Sequence, residues 1–132
     1  MNTTQQNKRP KRVVITAGAS GIGLAIAQAF LRQGDQVFIC DVNPSVLDTV
    51  LSENKGLQGV IADVGNPQQV EAFIEQAINL MGSIDVLVNN AGIGGPKAAI
   101  EDIDYQDWDD CIRINLSGMF YCAKQVIPAM KK

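Results

Sequence analysis

The chain has 132 residues, enough for one domain and too few for two. Its 46% hydrophobic content excludes disorder over most of the length, no run approaches the roughly 18 uncharged apolar residues of a membrane span, and the absence of histidine excludes a Ser-His-Asp triad, a His general base and a His-ligated metal. Net charge is −3, but Lys8, Arg9, Lys11 and Arg12 hold four of the 11 basic residues, which leaves 7 basic against 14 acidic from Val13 onward and disfavours nucleic-acid binding by the folded part.

Residues 1–12 are expected to form a flexible basic tail. The tail has no apolar stretch of the kind a secretory signal carries. Residues 12–17 (RVVITA) read as a strand buried on both faces. Gly18, Gly21 and Gly23 follow, then an apolar helical run that ends at Gly34 as a C′ residue. Residues 36–41 (QVFICD) form a second buried strand, and Asn43-Pro44 supplies an N-cap and an N1 proline for a helix to about Asn54. A third strand is expected over 57–63, and Asn66-Pro67 repeats the cap-and-proline signal. Val70, Phe73, Ile74, Ala77, Ile78 and Met81 then form an amphipathic stripe that Gly82 ends. A fourth strand spans 84–89.

The order β-α-β-α-β-α-β means parallel pairing through right-handed crossovers, with helices on both faces of a doubly wound sheet. Residues 104–132 read as one long helix, acidic in its first turn, where carboxylates suit the dipole. From Cys111 to Met130 it is apolar almost all round, so it needs cover from more chain or from another subunit. Cys40, Cys111 and Cys122 match no zinc spacing and are expected to be buried, reduced thiols of a cytoplasmic protein.

The loop Thr16-Ala17-Gly18-Ala19-Ser20-Gly21-Ile22-Gly23 lies between a strand and a helix. In that context its glycines allow a tight turn and close approach to a pyrophosphate, which the helix N-terminus attracts. Asp41, 20 residues after Gly21 at the end of the second strand, suits the ribose hydroxyls and repels a 2′-phosphate, which points to NAD over NADP.

These residues resemble the short-chain dehydrogenase/reductase family, whose loop signature is T-G-x-x-x-G-x-G. Ala17 stands where the family has its first glycine, with Gly18 beside it as the expected source of flexibility. Asp63-Val64 resembles the family's adenine-contacting pair, Asn89-Asn90-Ala91-Gly92 its N-N-A-G motif, and Asn115 its helix asparagine, an auxiliary catalytic residue whose backbone helps hold a water in a proton relay. Asn89 is expected to hold neighbouring backbone in register, and Asn90, Ala91 and Gly92 to leave room for a flat cofactor. The resemblance implies a Rossmann-type fold, cofactor contacts by Gly18, Ser20, Gly21, Ile22, Gly23, Asp41, Asp63, Val64, Asn90, Ala91 and Gly92, and hydride transfer between nicotinamide and a small carbonyl or alcohol substrate. Similar proteins commonly pair through the last helix, so a homo-oligomer through helix 104–132 is expected; charge, hydropathy and ligand spacing speak against nucleic-acid, membrane and metal partners.

The family's catalytic pair is spaced Y-x-x-x-K. Here Asp109 stands four after Tyr105, and Gln125 four after Tyr121, with Lys124 one residue too early. Tyr121 and Lys124 therefore read as structural. The expectation is an incomplete four-strand Rossmann domain over 13–132, cut before the catalytic strand and helix and inactive alone. The competing reading is a non-catalytic dinucleotide-binding or interaction module. An epimerase-type relative, with G-x-x-G-x-x-G spacing, fits the loop poorly.

Overall fold

The computed structural model describes residues 9–132. One four-stranded sheet has the order β3-β2-β1-β4, with every pairing parallel. Its strands are β1 (Arg12–Thr16), β2 (Gln36–Asp41), β3 (Leu57–Ile61) and β4 (Val86–Val88). The connecting helices are α1 (Gly21–Arg32), α2 (Pro44–Glu53) and α3 (Pro67–Met81); α4 (Tyr105–Ile112) and α5 (Gly118–Met130) follow β4. Among the described residues no helix is long and apolar enough to cross a membrane.

The sheet has a core on each face because successive strand side chains point to opposite sides. Val14, Phe38 and Cys40 face α3 and α5, where Phe73, Ile74, Cys122 and Val126 meet them. Val13, Ile15, Val37 and Ile39 face α1 and α2, meeting Ala27, Leu47 and Val50. Phe38 and Phe73 stack with ring centroids 5.8 Å apart.

Helix ends follow the punctuation of the chain. The Asn43 and Asn66 side chains accept hydrogen bonds from Val46 and Gln69 N–H, and each is followed by an N1 proline. Gly34 (φ 86°) takes the left-handed position after α1, where Asp35 N–H bonds Phe30 C=O and Gly34 N–H bonds Leu31 C=O, a Schellman closure.

Several expectations need correction. β3 stops at Ile61 and β4 covers only Val86–Val88. Beyond the ends of β4 the contact with β1 continues by other means: Asp85 N–H bonds Arg12 C=O, and the Thr16 hydroxyl takes over at Asn90 and Ala91. The expected single helix over 104–132 is broken by a π-helical turn, Arg113–Ser117, in which Gly118 N–H reaches back to Arg113 C=O. Of the three cysteines, Cys40 and Cys122 are buried, and burial pushes their thiols up to about 12 and about 11; Cys111 is only half-buried beside Gly95.

Residues 1–8 of the expected tail lie outside the described residues. Its remainder is tied down: Arg12 already belongs to β1, and Arg9 and Arg12 both grip Asp85, at 3.2 Å and 3.0 Å. Asp85 also accepts the Arg12 N–H at 2.8 Å. The Arg12 side-chain hydrogen bonds, against an opposing desolvation, hold the Asp85 carboxyl well below the usual carboxylate range. A lowered folded-state value means that this stabilisation is present above the unfolded value of about 3.9 and is lost as pH falls below it. Asp85→Asn should therefore unfold at lower urea than the unmodified chain at pH 7, and the gap should close toward pH 2. A gap independent of pH would contradict the assignment.

Candidate functional site

The site lies where the C-terminal ends of β1, β2 and β4 converge, with β1 and β4 as neighbours. Ligands of open parallel sheets bind at this end. The loop from β1 to α1 is built on one unusual residue. Ala17 sits at φ 52°, in the left-handed region that glycine occupies freely. This costs an alanine about 1 kcal/mol. The flexibility expected from Gly18 is not used: Gly18 is small for packing, since a Cβ there would stand 2.5 Å from the Ile39 side chain. The loop's backbone shape thus persists through Ala17 itself.

Gly21 (φ 53°) has open space where a Cβ would point. Ser20 is exposed and places no side-chain cap on α1, and Ile22 is 75% exposed. The first N–H groups of α1 therefore have no side-chain capping oxygen, as an anion site requires. Gly23 is the tight point: a Cβ there would strike the Ala17 carbonyl oxygen and the Asn90 side-chain amide.

Thr16 is 1% exposed and knots this loop to the segment after β4. Its hydroxyl oxygen accepts Asn90 N–H at 3.0 Å and Ala91 N–H at 2.9 Å. The Asn90 side chain returns the tie, donating to the Thr16 and Ala17 carbonyls at 3.2 Å each. Asn90, not the exposed Asn89, thus holds the neighbouring backbone. The sequence marks Thr16 as the start of the glycine loop but not its partners, although a hydroxyl ending an apolar, doubly buried strand needs one.

Asp41 is half-buried. One carboxylate oxygen accepts Ala19 N–H at 3.1 Å, and the other accepts Val42 N–H at 2.8 Å and Asn43 N–H at 3.3 Å. A carboxylate offers about four acceptor positions, so capacity for another donor remains. A cleft of about 120 Å³ opens beside it, lined by Ala17, Asp41, Val64, Ala91, Gly92, Ile93 and Ile114 among others. Val64 is in that wall, whereas the Asp63 carboxylate is engaged by Gly65 N–H at 2.8 Å and Arg113 at 2.9 Å.

Asn115 lies in the π-helical turn, where its side-chain oxygen accepts Ile93 N–H at 2.7 Å and its amide donates to Ile93 C=O at 2.8 Å. The pair works like a short β-bridge and fixes one lip of the cleft. Tyr121 packs against the α3-side core and Lys124 is exposed; neither lines the cleft. Tyr105 is 92% exposed. A larger hollow, about 540 Å³, runs along β3 between Leu57, Gly59, Gln76 and Leu80, away from the glycine loop.

The four parallel strands and their helices define an open parallel α/β fold of Rossmann type. The short chain dehydrogenase family model matches residues 11–132, and the chain belongs to that family. The short chain dehydrogenase/reductase dpmpG of Macrophomina phaseolina is 36% identical over 134 aligned positions, which cover 98% of this chain and 77% of that one. A 3-oxoacyl-(acyl-carrier-protein) reductase of Thermotoga maritima is 36% identical, over 92% of this chain and 51% of that protein. Among solved structures, a 3-ketoacyl-(acyl-carrier-protein) reductase of Brucella melitensis complexed with NADH superposes with a TM-score of 0.87 at 31% identity, over 92% of this chain and 50% of that one. The chain thus spans about half the length of these last two relatives.

Proposed function

We propose that this chain is the dinucleotide-binding part of an NAD-dependent oxidoreductase. The observation that carries the reading is the convergence of an uncapped α1 N-terminus, an open Gly21 and the Asp41 cleft on one end of the sheet. In this reading the pyrophosphate lies over Ser20, Gly21, Ile22 and Gly23, a ribose donates to Asp41, and adenine lies against Val64. Gly92 and Ile93, pinned by Asn115, form the lip on the nicotinamide side. A bound nicotinamide would supply the redox chemistry, giving a hydride to a small carbonyl substrate or taking one from a small alcohol.

The chain's own residues bind and orient but do not complete a proton path. Tyr105 is followed four positions on by Asp109, and Tyr121 by Gln125, so no Tyr-x-x-x-Lys pair is available to hold the substrate proton. Binding without turnover is the expected behaviour of the 132 residues alone. We propose further that a second copy covers α5 and the π-helical turn before it, where Phe120 and Leu116 are 61% and 59% exposed. Sedimentation that stays monomeric at high micromolar concentration would contradict this.

Asp41 gives the test of cofactor choice. Asp41→Ala should raise the Kd for NADH about tenfold and weaken NADPH less, since hydrogen bonds to a carboxylate contribute about 1.5–3 kcal/mol. Asp41 also holds Ala19 N–H, so the alanine loses two functions at once. Asp41→Asn keeps one oxygen, enough for Ala19 N–H or for Val42 and Asn43 N–H but not for both sets, so it should narrow the NADH preference and also lower stability. Tighter NADPH than NADH binding by the unmodified chain would overturn the NAD assignment.

A further inference from the structure

Arg113 is one of few charged residues in an otherwise apolar helical stretch, and it reaches across the fold. Its guanidinium bonds Asp63 at 2.9 Å, 50 positions back in sequence, and lies 3.6 Å from Asp110. The loop it grips closes over it: a Cβ on Gly65 would strike the guanidinium. A Cβ on Gly118 would stand 2.8 Å from the Val64 side chain, so the same loop is pressed against the start of α5. Two residues after Arg113, Asn115 holds Ile93 on the other lip of the cleft. The π-helical turn therefore grips both lips, one through each side chain.

We propose that Arg113 is a positioning residue for the adenine side of the cleft: by holding the Asp63 carboxylate, it sets where Val64 stands in the cleft wall, while Asn115 sets the opposite lip. The proposal rests on the dinucleotide reading above. The planar guanidinium suits this task because it fixes both the distance and the plane of a carboxylate. Gly65 is its counterpart, since only the residue without a side chain leaves room for the guanidinium.

Binding of two half-molecules to the full chain separates this role from general stability. Arg113→Ala should raise the Kd for ADP-ribose about fivefold, the scale of a half-exposed ion pair, and leave reduced nicotinamide mononucleotide unchanged. Arg113→Lys should recover part of the loss. Gly65→Ala should reproduce it, and the double variant should be no worse than either single one, because both remove the same contact. Amide exchange without ligand supplies an independent readout: Arg113→Ala should speed exchange at Gly65 and not at Ile93, and Asn115→Ala should do the reverse. Equal weakening of both half-molecules, or no change at Gly65, would overturn the proposal. If the unmodified chain binds no dinucleotide yet Gly65 exchange responds to Arg113→Ala, the dinucleotide reading fails and the adenine role with it, while the grip on the loop stands.

Discussion

Gly23→Ala should be among the most damaging single substitutions in the chain, costing about 2–3 kcal/mol of stability and at least about tenfold in NADH affinity. The reason is local and steric. Gly23 enters α1 directly beneath the Ala17 carbonyl, and a methyl group there would strike that oxygen and stand 2.5 Å from the Asn90 amide nitrogen. Neither neighbour can give way easily. The carbonyl belongs to a loop residue already in the left-handed region, and the amide is committed to the Thr16 and Ala17 carbonyls. The methyl must therefore push the start of α1 off the loop, which separates the helix N-terminus from the cleft. Gly94→Ala is the control, because its Cβ meets nothing within 4 Å and its φ lies outside the left-handed region. Urea unfolding followed by circular dichroism, with NADH titration of the folded fraction, checks both parts. A Gly23→Ala chain as stable as Gly94→Ala would show that the loop and helix are not packed as described.

Thr16→Val should cost about 3 kcal/mol, although the side chain keeps its branching and nearly its volume. The hydroxyl is the shared acceptor for Asn90 and Ala91 N–H, and the site is 1% exposed, so water has no access to replace it. Each buried donor left unpaired costs about 1–3 kcal/mol. Thr16→Ser restores the oxygen and should lose only about 1 kcal/mol, the share of the missing methyl. The specific signature is faster amide exchange at Asn90 and Ala91 in the valine chain alone. Equal stability of the valine and serine chains would remove Thr16 from the account.

The parts of the fold that are local in sequence are the parts a reader of the sequence can find. Asn43-Pro44 and Asn66-Pro67 announce helices because cap and proline act within one turn, and Gly34 and Gly82 end helices through their own left-handed backbone. The glycine loop and Asp41 are legible for the same reason: strand, loop and helix follow one another directly. The unread features depend on residues far apart or on hidden periodicity. A π-helical turn adds one residue to a helix, and in a run apolar on nearly every side no face is displaced to betray it. The Arg113–Asp63 pair and the Thr16–Asn90 knot span 50 and 74 positions, beyond any local pattern. Ala17 carried a misleading signal, since the glycine beside it looked like the flexible residue while the alanine took the strained conformation. Cys111 is only half-buried: Gly95 covers part of it, and Asp109, Asp110 and Arg113 flank it in sequence.

The central claim is that a nicotinamide dinucleotide binds at the glycine-loop end of the sheet, and residue-resolved NMR of the 15N-labelled chain during NADH titration tests it most directly. The expected result is saturable shifts of the Gly18, Ser20, Gly21, Ile22 and Gly23 amides, together with Val42, Val64, Gly92 and Ile93, and no shift along β3. Shifts confined to Leu57, Gly59, Gln76 and Leu80, around the larger hollow at the β3 edge, or no saturable shift at millimolar NADH, would contradict it.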